Sequence, residues 1–436
     1  MKTFGARLGQ FLLATKLFWG LAVLYAVGIL SSPINRRGVN IFLSPGNQSD
    51  VLRQVSNNGI IAVGMTMVIL TAGIDLSVGS IMALGSVLCA MLLTINGWTT
   101  ASALAIPVLS LVLLSVTAFT VPLIALNMRR RSVKPVEQPS RRIRLIGWGL
   151  GLLLALLACG WTTGQLATKF GVLGVLVTVP AAGLVVGALN GLIITKGRMQ
   201  PFIVTLAMMV AVLGVARLLG GPSAAIFPVY SGSNATEQFD VLRALLFQVV
   251  PVPGLFFLAA ALIFGFVLRF STFGRYVYAI GGNEQAARLA GIHVDQVKIT
   301  VYAISGFLSA LAGVLYTAQY RQGKPDAGTG AELDAIAAVV IGGTNLMGGR
   351  GTMLGTVVGV LIFGFLGNIL LLRNIDSNTQ LVLKGLIILA AVLLQEGQVN
   401  LWWQRWSRLL GGRPRPVDAK LRPSGPQQPS TSVPKA

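Results

Sequence analysis

Residue types that usually carry catalytic chemistry are scarce in this chain. It has one histidine, His293, and two cysteines, Cys89 and Cys159, each cysteine inside an apolar run, with 13 Asp and Glu among 436 residues. No Cys/His pattern has metal-ligand spacing, and two isolated cysteines make no disulfide framework. We therefore expect no metal site and no catalytic residue. A nucleotide-binding phosphate loop, Gly-x-x-x-x-Gly-Lys-Ser/Thr, is missing; the glycines over 342–351 lack the Lys-Ser/Thr pair. The chain is thus expected to bind no cofactor and to hydrolyse no ATP by itself. What remains are polar groups in or beside apolar runs, where an ionised side chain is costly. Asp75, followed by Leu76-Ser77, is expected in a cytoplasmic turn. There it either caps a helix beginning near Ser77 or serves gating or partner contact. Asp334 and Lys384, near the outer ends of two runs, are opposite charges that invite mutual neutralisation, with separate snorkelling as the alternative. Asn190 and Asn368 lie within apolar runs. They either line a solute path or bond across helices.

The elements that hold these residues are apolar. The chain is 54% hydrophobic and 11% charged, against about 25% charged in soluble domains. A span needs about 20 apolar residues, and runs of about that length recur from residue 17 to 395. The expected fold is an all-α polytopic membrane protein with about ten core transmembrane helices plus an inserted two-helix hairpin. The 52 glycines suit close helix approach in a bilayer. Two runs, 59–74 and 333–344, are short, and each leads through a glycine-containing turn into another run. Such breaks in corresponding places point to an internal repeat.

The net charge of +21 sits mainly between the runs, so membrane topology explains it and no nucleic-acid partner is expected. With the N-terminus inside, 24 of the 34 Lys and Arg fall on the cytoplasmic side and nine on the other. That bias places both termini in the cytoplasm. The organisation expected is a cytoplasmic N-terminus over 1–16 and a first core part over 17–96. A two-span hairpin with a basic cytoplasmic loop follows over 97–169. The remaining core covers 170–395 and includes a cytoplasmic loop at 271–298. A basic, Pro-rich tail over 396–436 is expected to be disordered from about 411. With Trp402, Trp403 and Trp406, that tail suits an anionic lipid surface.

Several motifs occur in a fixed order: Gly64–Ser80, Pro201–Leu206, the stretch from Phe273 to Lys298, and Glu332–Ala338 followed by Gly342-Gly343-Thr344. Over about 50–95 and 170–395 they resemble the ribose/xylose/galactose-type ABC permease family. The segment between Gly97 and Lys169 departs from that pattern. The resemblance implies a permease subunit in the bacterial cytoplasmic (inner) membrane, forming the path for a pentose- or hexose-like sugar. It also implies three partners: an extracytoplasmic solute-binding protein, a second permease copy in a homo- or heterodimer, and a separate ABC ATP-binding subunit that binds the ATP. Docking of that subunit is expected on a short helix over 283–291. Asn283 caps it, Glu284 suits its positive end, Arg288 lies in its last turn, and Ala287 and Gly291 form a small face at i, i+4. The alternatives are an ABC permease for a nucleoside, a branched amino acid or a signalling sugar derivative. From other classes they are an ion-coupled secondary transporter or a membrane scaffold.

Overall fold

The computed structural model describes residues 16–94, 172–221, 226–235, 237–247 and 249–395. The 97–169 hairpin, the tail from 396 and all but the last residue of the 1–16 segment lie outside them. The chain divides into two compact units, Met1–Ile388 and Leu389–Ala436. The first carries everything discussed below.

Twelve α-helices occur among the described residues: α1 (Lys16–Ser31), α2 (Pro45–Leu70), α3 (Val78–Thr94), α4 (Val172–Lys196), α5 (Pro201–Leu219), α6 (Val252–Phe270), α7 (Thr272–Gly282), α8 (Glu284–Leu289), α9 (Val294–Tyr320), α10 (Ala331–Ile341), α11 (Met353–Leu372) and α12 (Ser377–Gln395). Two-residue strands make small antiparallel ladders, β1 (Phe227–Pro228) with β4 (Gln322–Gly323) and β2 (Leu245–Leu246) with β3 (Val250–Pro251). Five helices, α4, α5, α6, α9 and α11, contain segments long and apolar enough to cross a bilayer. Apolar side chains point outward from them: Phe202, Ile203 and Val210 on α5, and Leu262, Ile263 and Phe266 on α6, are exposed. Meanwhile Thr66, Asn190, Ser305 and Thr317 are buried. This distribution suits hydrocarbon surroundings, where apolar faces need no shelter and polar groups find partners inside the bundle. The chain is a multi-pass, all-α membrane protein.

Helix α9 is the axis of the bundle, packed by α2, α3 and α4. The approach is backbone to backbone. A Cβ added at Gly187 on α4 would collide with the Tyr302 carbonyl oxygen, and one at Gly191 would lie 2.6 Å from Ile299 Cα. From the other sides, a Cβ at Gly64 would lie 2.9 Å from Ser305 Cα, and one at Gly85 would lie 2.8 Å from the Ala310 oxygen. Without a hydrophobic drive between helices in lipid, such contact area is what holds them together.

Two of the expected runs take a different form. Run 59–74 belongs to α2, a 26-residue helix that begins at Pro45. Its first half is polar because its side chains bond to other elements. Ser49 Oγ donates to the Val249 carbonyl (2.5 Å), Asn57 Nδ2 to Gln319 Oε1 (3.2 Å) and Asn58 Nδ2 to Asp334 Oδ2 (3.2 Å). Run 333–344 is α10, only 11 residues and about 16 Å long at the helical rise. The non-helical stretch before it packs on α3, with Gly328 against Gly79 and Gly323 against Ser86. The turns after α2 and α10 meet: the Gly349 N–H donates to the Leu70 carbonyl at 3.0 Å. The Thr66 and Thr356 hydroxyls bond at 2.6 Å beside them.

The packing generates a test. Gly187→Ala forces backbones apart at a filled seam, where overpacking costs about 1–3 kcal/mol or more. A Cβ at Gly214 meets nothing within 4 Å. We expect Gly187→Ala to lower the yield of monodisperse protein in fluorescence-detected size exclusion and Gly214→Ala to leave it unchanged.

Candidate functional site

Three groups of polar residues stand out, and the bundle positions each. The first is the loop between α6 and α9. Ser271 Oγ accepts from the Gly274 N–H at 3.1 Å and so caps α7. Phe273, Val277 and Ile280 are buried at helical spacing, which lays α7 against the bundle. Tyr278 OH donates to the Gly351 carbonyl at 2.9 Å, and Gly281 packs against Leu70 and Gly349. The loop therefore touches both turns that interrupt the helices.

Helix α8 follows. Asn283 Oδ1 accepts from the Ala286 N–H at 2.9 Å, so it is the cap. Glu284 pairs with Lys298 (2.6 Å) and with Arg288 (3.0 Å). Arg288 also reaches Asp295 (2.8 Å), which pairs with Lys196 (3.1 Å). This chain of charges ties α8 to the start of α9 and the end of α4. Partial burial by itself raises the Glu284 carboxyl, but the hydrogen bonds and charges of Lys298 and Arg288 outweigh it and the net shift is downward. A depressed carboxyl adds stability above its unfolded-state value and loses it as pH falls through the folded one. The pairing therefore holds at neutral pH and loosens only in acid.

The small face expected on this helix does not form. Ala287 is buried at 4% exposure and points into the bundle. Gly291 lies beyond the helix at φ +80°. The Ile292 N–H bonds to the Ala287 carbonyl and the Gly291 N–H to that of Arg288, a Schellman ending that favours glycine at this position. Ala287 and Gly291 therefore share no face, because α8 ends after six residues. The apolar group it shows outward is Leu289, 91% exposed.

The second group surrounds Asp75, which is fully buried. One carboxylate oxygen accepts from the Ser77 N–H (3.1 Å) and hydroxyl (2.6 Å), the other from the Ser305 hydroxyl (2.9 Å). The expected place at a cytoplasmic turn needs correction. Ser305 is eleven residues into α9, about 16 Å along it, because the segment after α2 climbs back into the bundle. Asp75 does hold the entry to α3 through Ser77. Asn190 is fully buried and its Nδ2 donates to Ser77 Oγ at 2.8 Å. It ties α4 to the entry of α3. Asn368 exchanges side-chain amide bonds with Asn47 at 2.8 and 3.1 Å, and likewise joins helices.

The third group unites Asp334 and Lys384, whose side chains meet at 3.0 Å. Asn58 donates to the same carboxylate, and the Lys384 ammonium lies 5.3 Å from the Phe363 ring centre. They border a cavity of about 80 Å³ that Gln54 and Gln380 also line. Sequence reasoning placed Ser77 beside Asp75 but missed Asn58, Phe363 and Ser305 as members of these groups. The amide at Asn58, at odds with an apolar helix, was the available signal; Ser and Phe gave none.

Removing one member of a buried ion pair costs about 3–5 kcal/mol, and less here, where each side chain keeps 20–25% of its surface exposed. We expect Asp334→Asn to lower the melting temperature in detergent. Asp334→Asn combined with Lys384→Gln should recover part of the loss, and equal loss in both would count against the pair.

Comparison with known proteins places this arrangement. A family model described as branched-chain amino acid transport system / permease component matches residues 143–392. That match begins within the segment read above as an insertion. The ribose import permease protein RbsC of Haemophilus influenzae is 34% identical over 393 residues, 90% of this chain and 96% of that protein. The Bacillus subtilis RbsC is 38% identical over 379 residues, 86% of this chain and 91% of that protein. The xylose transport system permease protein XylH of Escherichia coli is 35% identical over 363 residues, 80% and 85% of the two chains. No solved structure matches the chain. With identities above 30% across four fifths or more of its length, the chain belongs to the ABC transporter permease family, alongside these ribose and xylose permeases.

Proposed function

We propose that the chain is the sugar-translocating permease subunit of an ATP-driven importer in the bacterial inner membrane. It receives a pentose- or hexose-like sugar from an extracytoplasmic binding protein. The observation that carries this reading is the likeness to ribose and xylose permeases over nearly the whole chain. About ten core helices, the inserted hairpin and cytoplasmic termini belong to the same reading, supported by the apolar runs and the Lys/Arg bias. A second permease copy completes the path.

Without a phosphate loop of its own, the chain depends on a separate ABC ATP-binding subunit. That subunit docks on the loop at 271–298. Leu289 is the knob it covers: an apolar side chain almost wholly exposed, at the end of a short helix fixed by ion pairs. Force on α8 passes through α7 to the turns after α2 and α10, since Tyr278 and Gly281 lie against them. From there it reaches the helices that border the cavity.

Two measurements test this. A central apolar anchor in an interface is worth about 2 kcal/mol or more. Leu289→Glu should therefore weaken co-purification of the ATP-binding subunit at least about tenfold with unchanged membrane abundance; normal co-purification would move docking elsewhere. In cells carrying the whole importer, pentose uptake should survive a protonophore while ATP is maintained. Collapse of uptake under those conditions would favour an ion-coupled secondary transporter.

A further inference from the structure

We propose that the cavity between α2, α10, α11 and α12 is a subsite that holds the hydroxyl edge of a sugar on its way through the chain. The inference rests on the sugar reading above and deepens it. Six side chains carry it: Gln54, Asn58, Asp334, Phe363, Gln380 and Lys384. A sugar presents alternating hydroxyl donors and acceptors around its rim and apolar C–H groups on its faces. The wall supplies matching parts. Asp334 accepts, Lys384 donates, and the three amides do both. Phe363 offers an aromatic face beside the ammonium.

Charge narrows the ligand class. Asp334 and Lys384 neutralise each other at 3.0 Å, and Asn58 supports the carboxylate. An uncharged polyol joins such a pair through its remaining hydrogen-bonding capacity. A zwitterionic amino acid would have to split the pair to use its own charges, and splitting buried pairs is costly. The cavity of about 80 Å³ is open rather than sealed, since both charged side chains remain partly exposed, and so it takes the edge of a ring. A shallow, partial grip is what a path needs, because a solute must leave as readily as it enters. The cavity also lies toward the N-terminal ends of α2, α10 and α12, the half of the bundle that the Lys/Arg bias assigns to the outside.

Gly367 lines the cavity, and a Cβ there meets no atom within 4 Å. Gly367→Cys therefore places a thiol in the cavity without crowding it. The test uses full-length chain in membranes, with Cys89→Ser and Cys159→Ser, and follows modification by a small methanethiosulfonate. D-Ribose or D-xylose should slow the reaction, about threefold at twice the subsite's Kd. L-Leucine should not, and adding Phe363→Ala should abolish the protection. If neither pentose protects while the parent importer still takes up pentose, the subsite is wrong and the permease reading stands. If L-leucine protects and the pentoses do not, the subsite and the sugar reading both fall. If Gly367→Cys does not react, Gln380→Cys takes its place, and inertness of both overturns the proposal.

Discussion

The rest of the fold depends on how closely helix backbones approach α9. Lipid offers no hydrophobic drive to press helices together, so contact area and short polar bonds do that work. Glycines on α2, α3 and α4 bring those helices against α9 at distances a Cβ would fill. Only at such separations do short hydroxyls reach across. Ser86 meets Thr317 at 3.0 Å, and Ser305 meets Asp75 at 2.9 Å. Asp75, a buried carboxylate without a cation partner among the described residues, is satisfied by the Ser77 and Ser305 hydroxyls and the Ser77 N–H. The glycine contacts and the polar bonds therefore stand or fall together.

The same constraint decides what was legible in the sequence. Glycine abundance and long apolar runs announce a tightly packed membrane bundle, and the structure is one. Opposite charges on two separate runs anticipated the meeting of Asp334 and Lys384, because lone charges there would be expensive. Asn283 was readable as a cap because its chemistry is local. The misreadings concern residues whose role is set by distant partners. The polar first half of α2 fell outside the expected 59–74 run, since nothing in the sequence reveals that Asn47, Asn57 and Asn58 each meet an amide or carboxylate more than 250 residues away. For Asn190 the sequence left two readings open, path lining or bonding across helices, and its bond to Ser77 supports the second. The Ala287/Gly291 face failed because one left-handed residue ended the helix first, a detail that spacing alone does not encode.

On the proposed mechanism, the seam between the 271–298 loop and the two turns is where energy enters. It is built like the core. Gly281 lies against the Leu70 carbonyl and the Gly349 N–H, and those two groups bond to each other at 3.0 Å. A rigid loop set directly on two backbone turns moves them with little slack, whereas a side-chain cushion would absorb part of the motion. Charge pairs around α8 keep the short helix from swinging independently.

Pentose imported per ATP hydrolysed, in proteoliposomes holding the whole importer, tests that seam most directly. A Cβ at Gly281 would collide with the Leu70 carbonyl, whereas one at neighbouring Gly282 meets nothing within 4 Å. Gly281→Ala should leave the ATP-binding subunit attached and hydrolysis running while the ratio falls severalfold, and Gly282→Ala should match the parent. An unchanged ratio in Gly281→Ala, in protein assembled to parental levels, would contradict coupling through these turns.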